Sequence, residues 1–334
     1  MTNTSGNGAK LPRGRFAPSP TGFIHLGNAW SFLLAWLACR SRGGQMVLRM
    51  EDLDPQRSRP EFAQAILRDL SWLVLDWDEG PDKGGPHAPY VQSGRSHLYE
   101  EAVARLRAEG LVYPCYCTRK ELRALASAPH AGEAGPAYPG TCAGLSEEEC
   151  RAREAFGRRP ALRLRCPPGE GGEERFVDLA RGELCLSPAG LGDFAVRRSD
   201  HVWAYQLAVV VDDAAMGVTQ VVRGEDLLDS TPGQVRLFRL LGHVPPEFLH
   251  VPLLVDEEGE RLAKRHASLT LAALREAGVA PEAVVGWLGR AAGFLPAPAP
   301  CAARDLLPLF VPGLLPRGPV TVPKDILERL RALS

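Results

Sequence analysis

Three clusters in this 334-residue chain combine residue types and spacings suited to chemistry. The first is Arg15-Phe-Ala-Pro-Ser-Pro-Thr-Gly22, followed at once by His25-Leu26-Gly27-Asn28. It lies between a strand-like stretch and an apolar segment of helical length, so it opens a helix. Unpaired N–H groups and the positive dipole end of such a helix suit a phosphate. Gly27 would let a nucleotide approach the backbone, and His25 can donate to a phosphoryl oxygen as negative charge builds there. The same residues also read as a Pro/Gly turn with a capping histidine. The second cluster, Arg261-Leu262-Ala263-Lys264-Arg265-His266, follows the turn residues Asp256-Glu257-Glu258-Gly259 and puts several cations on a loop. Alone, it reads as a solvated face. The third cluster is Cys115, Cys117 and Cys142. Three thiols are too few for a closed all-cysteine metal site, but thiolates are good zinc ligands and a fourth ligand can be an oxygen. Three buried free thiols are the alternative. The remaining cysteines (Cys39, Cys150, Cys166, Cys185 and Cys301) stand alone and read as reduced, mostly buried small hydrophobes.

The elements that must position these clusters alternate. A short strand at Gly14–Ala17 turns at Pro18–Gly22 into a helix over about His25–Ala38, closed by Gly43-Gly44. Val47–Met50 reads as the next strand and runs into the acidic group Glu51-Asp52-Leu53-Asp54. Phe62, Ile66, Leu70 and Leu73 mark a second helix over roughly 61–73, and Tyr99, Ala102, Val103 and Leu106 a third. Strand–helix alternation implies parallel strands with crossover helices, hence an α/β, doubly wound, Rossmann-type sheet. From about Tyr113 to Phe194 the pattern breaks into cysteines, a Gly/Pro/Ala-rich loop at 127–140 and short β-like runs, as an insertion would. Val209-Val210-Val211 and Val218–Val222 then resume buried-strand composition, and Thr231–Leu241 is helix-like. The expected organisation is a disordered leader at 1–12, a first catalytic half at 13–113, an insertion at 114–195, a second half at 196–258 and a helical, stem-contact-like region with a short tail at 259–334.

Composition sets limits. Lys plus Arg total 39 and Asp plus Glu 40, so bulk charge cannot steer the chain to nucleic acid and any basic surface must be local. Hydrophobic residues at 45% and charged ones at 24% exclude wholesale disorder. The opening residues lack a secretory core, and the apolar stretch Phe23–Cys39, free of Asp, Glu, Lys and Arg, is shorter than the ~20 apolar residues a membrane span needs. A cytoplasmic protein with no membrane partner, monomeric, is expected.

Taken together, the His-x-Gly turn and the Lys264 loop resemble the paired signatures of class I aminoacyl-tRNA synthetases. Arg15–Gly22, Leu48-Arg49-Met50-Glu51-Asp52-Leu53-Asp54, Leu75–Pro81, Pro89-Tyr90-Val91-Gln92-Ser93 and Val222–Pro232 are similar to the glutamyl branch, in its order, over about Pro12–Phe294. Asn28 replaces the family's second histidine, and Arg261 and Ala263 replace its leading lysine and its serine. Lys264 matches the functional lysine. The resemblance implies activation of L-glutamate with ATP and Mg²⁺ to an adenylate, with His25 and Lys264 as catalytic residues and His25, Gly27, Asn28 and Lys264 at ATP. A glutamate carboxylate buried in a pocket calls for a fixed cation, best an arginine fork, and Arg15 and Arg223 match the family's positions. Glu51 would pair with the ammonium, Tyr205 would hydrogen-bond the substrate, and Ser19 would contact its main-chain end.

The family arrangement Cys-x-Cys then Tyr-x-x-x-Cys implies one structural Zn²⁺ on Cys115, Cys117, Tyr138 and Cys142, with His130 as a rival fourth ligand. After Phe294 only 40 residues follow, in which no anticodon-binding domain fits. A glutamyl core of this kind is similar to the truncated branch that glutamylates the queuosine base at the wobble position of tRNA(Asp) and leaves the 3′ end alone. The partner implied is the queuosine-bearing anticodon stem-loop, held through local cations such as Arg119, Lys120 and Arg239. A compact enzyme charging a tRNA 3′ end and a non-catalytic RNA-binding module are the alternatives.

Overall fold

Strand β1 (Arg13–Phe16) and strand β2 (Gln45–Leu48) pair in parallel, with Arg13 opposite Gln45 and Phe16 opposite Leu48. They are joined by helix α1 (Leu26–Arg40). This helix is apolar on almost every side, and Leu26, Trp30, Leu33, Leu34, Leu37 and Cys39 are all buried, as a helix enclosed by its neighbours requires. The indole of Trp30 donates to Pro252 O at 2.7 Å and ties the helix to the far side of the sheet. The computed structural model describes residues 11–118, 120–122, 138–166, 172–188, 192–262 and 267–334. Most of the expected leader, Arg119, His130 and Lys264 lie outside the described residues.

Helices α2 (Pro60–Trp72) and α3 (Ser96–Ala108) follow, then β3 (Val112–Cys115), α4 (Glu147–Ala155), β4 (Ala161–Leu164), β5 (Glu174–Asp178), β6 (Gly182–Leu186) and β7 (Ala195–Arg197). Strands β3, β4 and β7 form an antiparallel sheet of their own. The β5–β6 hairpin goes elsewhere. After α5 (Tyr205–Ala215), β8 (Gln220–Gly224), α6 (Thr231–Leu240) and β9 (Glu247–Val251), the second sheet has the order β6-β5-β9-β8. Strands β8 and β9 are parallel, with Arg223 opposite His250, and β5 meets β9 in parallel at Asp178 and Phe248. Part of the 114–195 region therefore borders the central layer.

The two parallel halves meet where Thr219 N donates to Arg13 O and Arg13 N to Thr219 Oγ1, both at 2.9 Å. From this junction β1 leads outward to β2 and β8 leads outward to β9. A crevice opens beyond the carboxyl ends of strands at such a reversal.

Two expectations need correction. Val209-Val210-Val211 lie in helix α5 and not in a strand, and α5 is buried from Leu207 to Asp213. A fully enclosed helix lacks a polar face, so a run of β-branched residues cannot be told from a buried strand by pattern. The C-terminal stretch is more than a short tail. Following β10 (Leu254–Val255), α7 (Leu271–Glu276) and α8 (Pro281–Ala291), strand β11 (Val320–Thr321) pairs with β10 in parallel, and α9 (Ile326–Ala332) packs on α8. Leu306, Leu315, Val322, Ile326 and Leu330 join the same apolar core as Phe16, Trp30 and Leu288. Among the described residues no helix is long and apolar enough to cross a membrane.

Candidate active site

The crevice at the β1/β8 junction holds a cavity of about 470 Å³, lined by Arg15, Ser19, Asn28, Glu51, Tyr205 and Arg223 among others. Arg15 is the penultimate residue of β1, Glu51 follows β2, Tyr205 opens α5 and Arg223 is in β8, so four elements converge at their cleft-facing ends. Arg15 donates from Nη1 to Val222 O at 3.1 Å and lies 3.4 Å from Asp213 Oδ2. This holds the guanidinium across the seam between the halves.

Beneath the cleft lies a charge network that the sequence reading did not single out. Arg49, fully enclosed, bonds Asp213 through Nη1 at 2.7 Å and Glu51 through Nη2 at 3.0 Å, with Asp212 3.8 Å from Nε. Asp212 in turn accepts from Arg95 Nε at 2.6 Å, Gln92 Nε2 at 2.8 Å and Tyr99 Oη at 2.8 Å. Buried charges persist only when paired and hydrogen-bonded. Burial raises the Glu51 carboxyl above its ordinary range, with Arg49 opposing the shift.

Arg223 is different. It is 6% exposed, and among the described residues no carboxylate forms an ion pair with it. Its partners are neutral: Nη1 donates to Gln234 Oε1 at 2.6 Å, Nη2 to Thr231 Oγ1 at 2.7 Å, and Nε faces His250 Nε2 at 3.3 Å. Gln234 is oriented by its own donation to Gln206 Oε1 at 2.6 Å. Burial lowers the arginine's proton affinity and the nearby Arg15 adds to the shift, while Tyr205 and Asp213 oppose it only in part. An enclosed guanidinium that has no carboxylate ion pair among the described residues and opens on a cavity is prepared for an anionic group.

His25 is the N-cap of α1: its Nδ1 accepts from Gly27 N at 3.1 Å, while Asn28 Oδ1 accepts from His25 N at 3.1 Å. The capping reading of the turn is thus realised, and Asn28 closes the reciprocal pair. A Cβ on Gly27 would lie 3.0 Å from the His25 ring and 3.7 Å from Leu262 Cβ. Thr270 bridges to His25 along the backbone. The described residues flanking Lys264 therefore abut this corner. His25 and Gly27 do not line the cavity itself, whereas Asn28 and Arg261 do. Arg261 reaches Asp226 across the cleft mouth.

A model of the catalytic domain of class I tRNA synthetases of the E and Q type matches residues 13–298. The chain belongs to this family. It is 58% identical over 322 residues to the glutamyl-Q tRNA(Asp) synthetase of Nitratidesulfovibrio vulgaris, covering 96% of this chain and 98% of that one. It is 48% identical over 276 residues to glutamate–tRNA ligase 2 of Alkalilimnicola ehrlichii, covering 83% of this chain and 57% of that one. Among solved structures, a glutamate tRNA ligase from Elizabethkingia meningosepticum in complex with its amino acid superposes with a TM-score of 0.80 at 26% identity, covering 96% of this chain and 68% of that chain.

In this class I synthetase the Cys115, Cys117 and Cys142 sulfurs lie within 4.8 Å of one another, with Cys117 and Cys142 3.7 Å apart. A tetrahedral zinc with bonds of about 2.3 Å needs sulfur separations of about 3.8 Å, so the donor set fits the ion. Tyr138 Oη is 3.3 Å from Cys115 Sγ and 3.4 Å from Cys117 Sγ, so an oxygen stands beside the thiols as a fourth ligand would. The Arg163 guanidinium lies 3.9 Å above the Tyr138 ring. Burial and neighbouring thiols push Cys117 up to about 11, while for Cys142 burial is outweighed by hydrogen bonds from Tyr138 and the Tyr116 backbone and the thiol falls below its usual value.

The residues missed were Arg49, Asp178, Asp212, Asp213, Gln234 and His250. A signal for four of them was present: Asp212-Asp213 ends the apolar run Leu207–Val211, Arg49 interrupts Met46–Met50, and His250 interrupts Phe248–Val251. A polar residue inside a buried hydrophobic run must have a partner. Arg239, expected as a phosphate contact, is engaged by Glu174 and by Arg175 O at 2.8 Å, so it fastens α6 to β5.

Proposed function

We propose that the protein activates L-glutamate with ATP and transfers it to the queuosine base at the wobble position of tRNA(Asp). The observation that carries the first half is Arg223, a buried cation without a carboxylate partner among the described residues, at the wall of a cleft that also offers Arg15, Glu51 and Tyr205. The side-chain carboxylate of glutamate supplies the missing charge, Glu51 receives its ammonium, and Ser19 contacts its main-chain end. One oxygen of the α-carboxylate attacks the α-phosphorus of ATP, the bond to the β-phosphate oxygen breaks, and pyrophosphate leaves. A hydroxyl of the nucleoside then attacks the adenylate's carbonyl carbon and AMP departs. The protein's part is positioning and charge stabilisation. His25 and Lys264 are assigned to phosphate, with Gly27 and Asn28 beside them, and Mg²⁺ accompanies ATP. Zinc, held by Cys115, Cys117, Cys142 and Tyr138, would cross-link β3 to the segment 138–142.

The second half, the queuosine acceptor, is supported by the similarity to the glutamyl-Q tRNA(Asp) synthetases of Nitratidesulfovibrio vulgaris and Symbiobacterium thermophilum, at 58% and 54% identity over 98% of each. The glutamate–tRNA ligases match at lower identity. The test supplies tRNA(Asp) bearing guanine or queuosine at the wobble position, with its 3′ adenosine intact or oxidised. Labelled glutamate should transfer only with queuosine and should survive oxidation. Transfer to tRNA(Glu) that oxidation abolishes would make this a compact 3′-end ligase.

A further inference from the structure

What fixes the plane of Arg223 is found behind the cleft. His250 stands opposite Arg223 across the parallel β8/β9 ladder, and its ring is buried. On its other side the imidazole Nδ1 lies 2.8 Å from Asp178 Oδ2, and the same oxygen accepts from His250 N at 3.0 Å. Asp178 is itself immobilised, because Oδ1 accepts from Ala180 N and Arg181 N, both at 3.0 Å. The ring is stacked on Phe248 at 5.7 Å between centroids, with Phe176 edge-on at 6.4 Å.

The chemistry of this chain of contacts is directional. A carboxylate can only accept, so Asp178 places the imidazole proton on Nδ1. Nε2 then keeps a lone pair, and that lone pair faces Arg223 Nε at 3.3 Å and Thr231 Oγ1 at 2.8 Å. Burial holds the ring neutral against the pull of Asp178. Arg223 is thereby oriented by acceptors that carry no charge. A carboxylate in the place of His250 would orient the guanidinium equally well but would also neutralise it, and the substrate would have to compete.

We propose that Asp178 and His250 are positioning residues that set the Arg223 fork for a substrate carboxylate while leaving its charge uncompensated. The inference rests on the reading of Arg223 as the group that binds the glutamate side chain. It extends that reading to a strand, β5, from the 114–195 region, so glutamate selectivity depends on how that region is seated against the sheet.

The experiment compares His250→Phe, His250→Gln, Asp178→Asn and Arg223→Lys in ATP–pyrophosphate exchange, varying glutamate and then glutamine. Phenylalanine keeps the ring and loses the acceptor, and glutamine restores one. Asparagine can donate to Nδ1 and so turn a ring N–H toward Arg223 Nε. Loss of one hydrogen bond to a charged group is worth about 10- to 100-fold. His250→Phe and Asp178→Asn should therefore raise the glutamate KM by that factor, leave kcat and the ATP KM within about threefold, and narrow the preference for glutamate over glutamine. His250→Gln should recover most of the KM. If Arg223→Lys raises the glutamate KM and the other variants do not, the positioning role is wrong and the pocket reading stands. If Arg223→Lys leaves the KM unchanged, the pocket reading itself fails. Parallel loss of kcat and ATP affinity in His250→Phe would mark a merely structural contact. A measurement on the unaltered protein is independent of whether the variants fold: long-range ¹H–¹⁵N spectra should show His250 protonated at Nδ1 alone. The opposite tautomer, or an imidazolium, would overturn the proposal.

Discussion

Replacing Arg49 by glutamine removes the cation around which the floor of the cleft is assembled. Arg49 is fully enclosed, and its terminal nitrogens bond Asp213 at 2.7 Å and Glu51 at 3.0 Å. In Arg49→Gln, Asp213 keeps, among the described residues, the ion pair with Arg15 at 3.4 Å, while Asp212 keeps Arg95, Gln92 and Tyr99. Glu51 has no other ion-pair partner among the described residues. Taking one partner from a buried pair costs about 3–5 kcal/mol, a large share of the ~5–15 kcal/mol that holds a domain together. The proton gives a second reading. Burial already raises the Glu51 carboxyl and Arg49 opposes the shift, so the variant raises it further. Below the ordinary glutamate range both folded and unfolded chains hold the proton, and the raised carboxyl costs nothing. As pH climbs past that range the unfolded chain ionises first, and stability is lost until the folded carboxyl follows. The deficit of Arg49→Gln should therefore be smaller at pH 5 than at pH 8. Urea unfolding at both values, followed by tryptophan fluorescence, measures it. A deficit under about 1 kcal/mol, or one equal at the two pH values, would refute the network as drawn.

The same raised carboxyl predicts that the glutamate KM in pyrophosphate exchange starts to increase at a pH above the ordinary glutamate range as pH falls, since Glu51 must be ionised to meet an ammonium; a profile flat down to that range would remove Glu51 from that role. Val74 has φ 56 just past α2, where Leu75 N closes on Leu70 O at 3.0 Å, and it is 62% exposed. A β-branched residue pays about 1–2 kcal/mol in this region, so Val74→Asn should raise the urea midpoint, and an unchanged or lower midpoint would contradict this. Cys142→Ser should reduce bound zinc from about one per chain to near zero by elemental analysis and leave most glutamate-dependent exchange intact; metal content unaffected by the substitution would discard the site.

The parts of the fold that repeat locally were readable from sequence. Strand β1, helix α1 and strand β2 follow from a turn-forming Pro18–Gly22 and an apolar helical run, and their boundaries fall within a few residues of the pattern. The cleft residues Arg15, Glu51, Tyr205 and Arg223 were visible because each stands in a distinctive short string. What escaped depends on contacts distant in sequence. Asp178 and His250 are 72 positions apart and Arg49 and Asp213 are 164 apart, and only closure of the sheet brings them together. Helix α5 was misread for the opposite reason: its burial is so complete that the polar face by which helices are recognised does not exist.

The pairing of β11 with β10 has a consequence for solubility. Val320 N donates to Leu253 O and Val322 N to Val255 O, both at 2.8 Å, which occupies one flank of a buried, apolar strand. A chain cut at 298 would retain every residue that the family model matches. It would also bare that flank and uncover the side of the core now closed by Leu306, Leu315, Val322, Ile326 and Leu330. An exposed hydrophobic strand edge is a template for pairing with a second molecule. The final 36 residues thus act as a guard against self-association as well as a wall of the core, and a shortened form would fail first by precipitating.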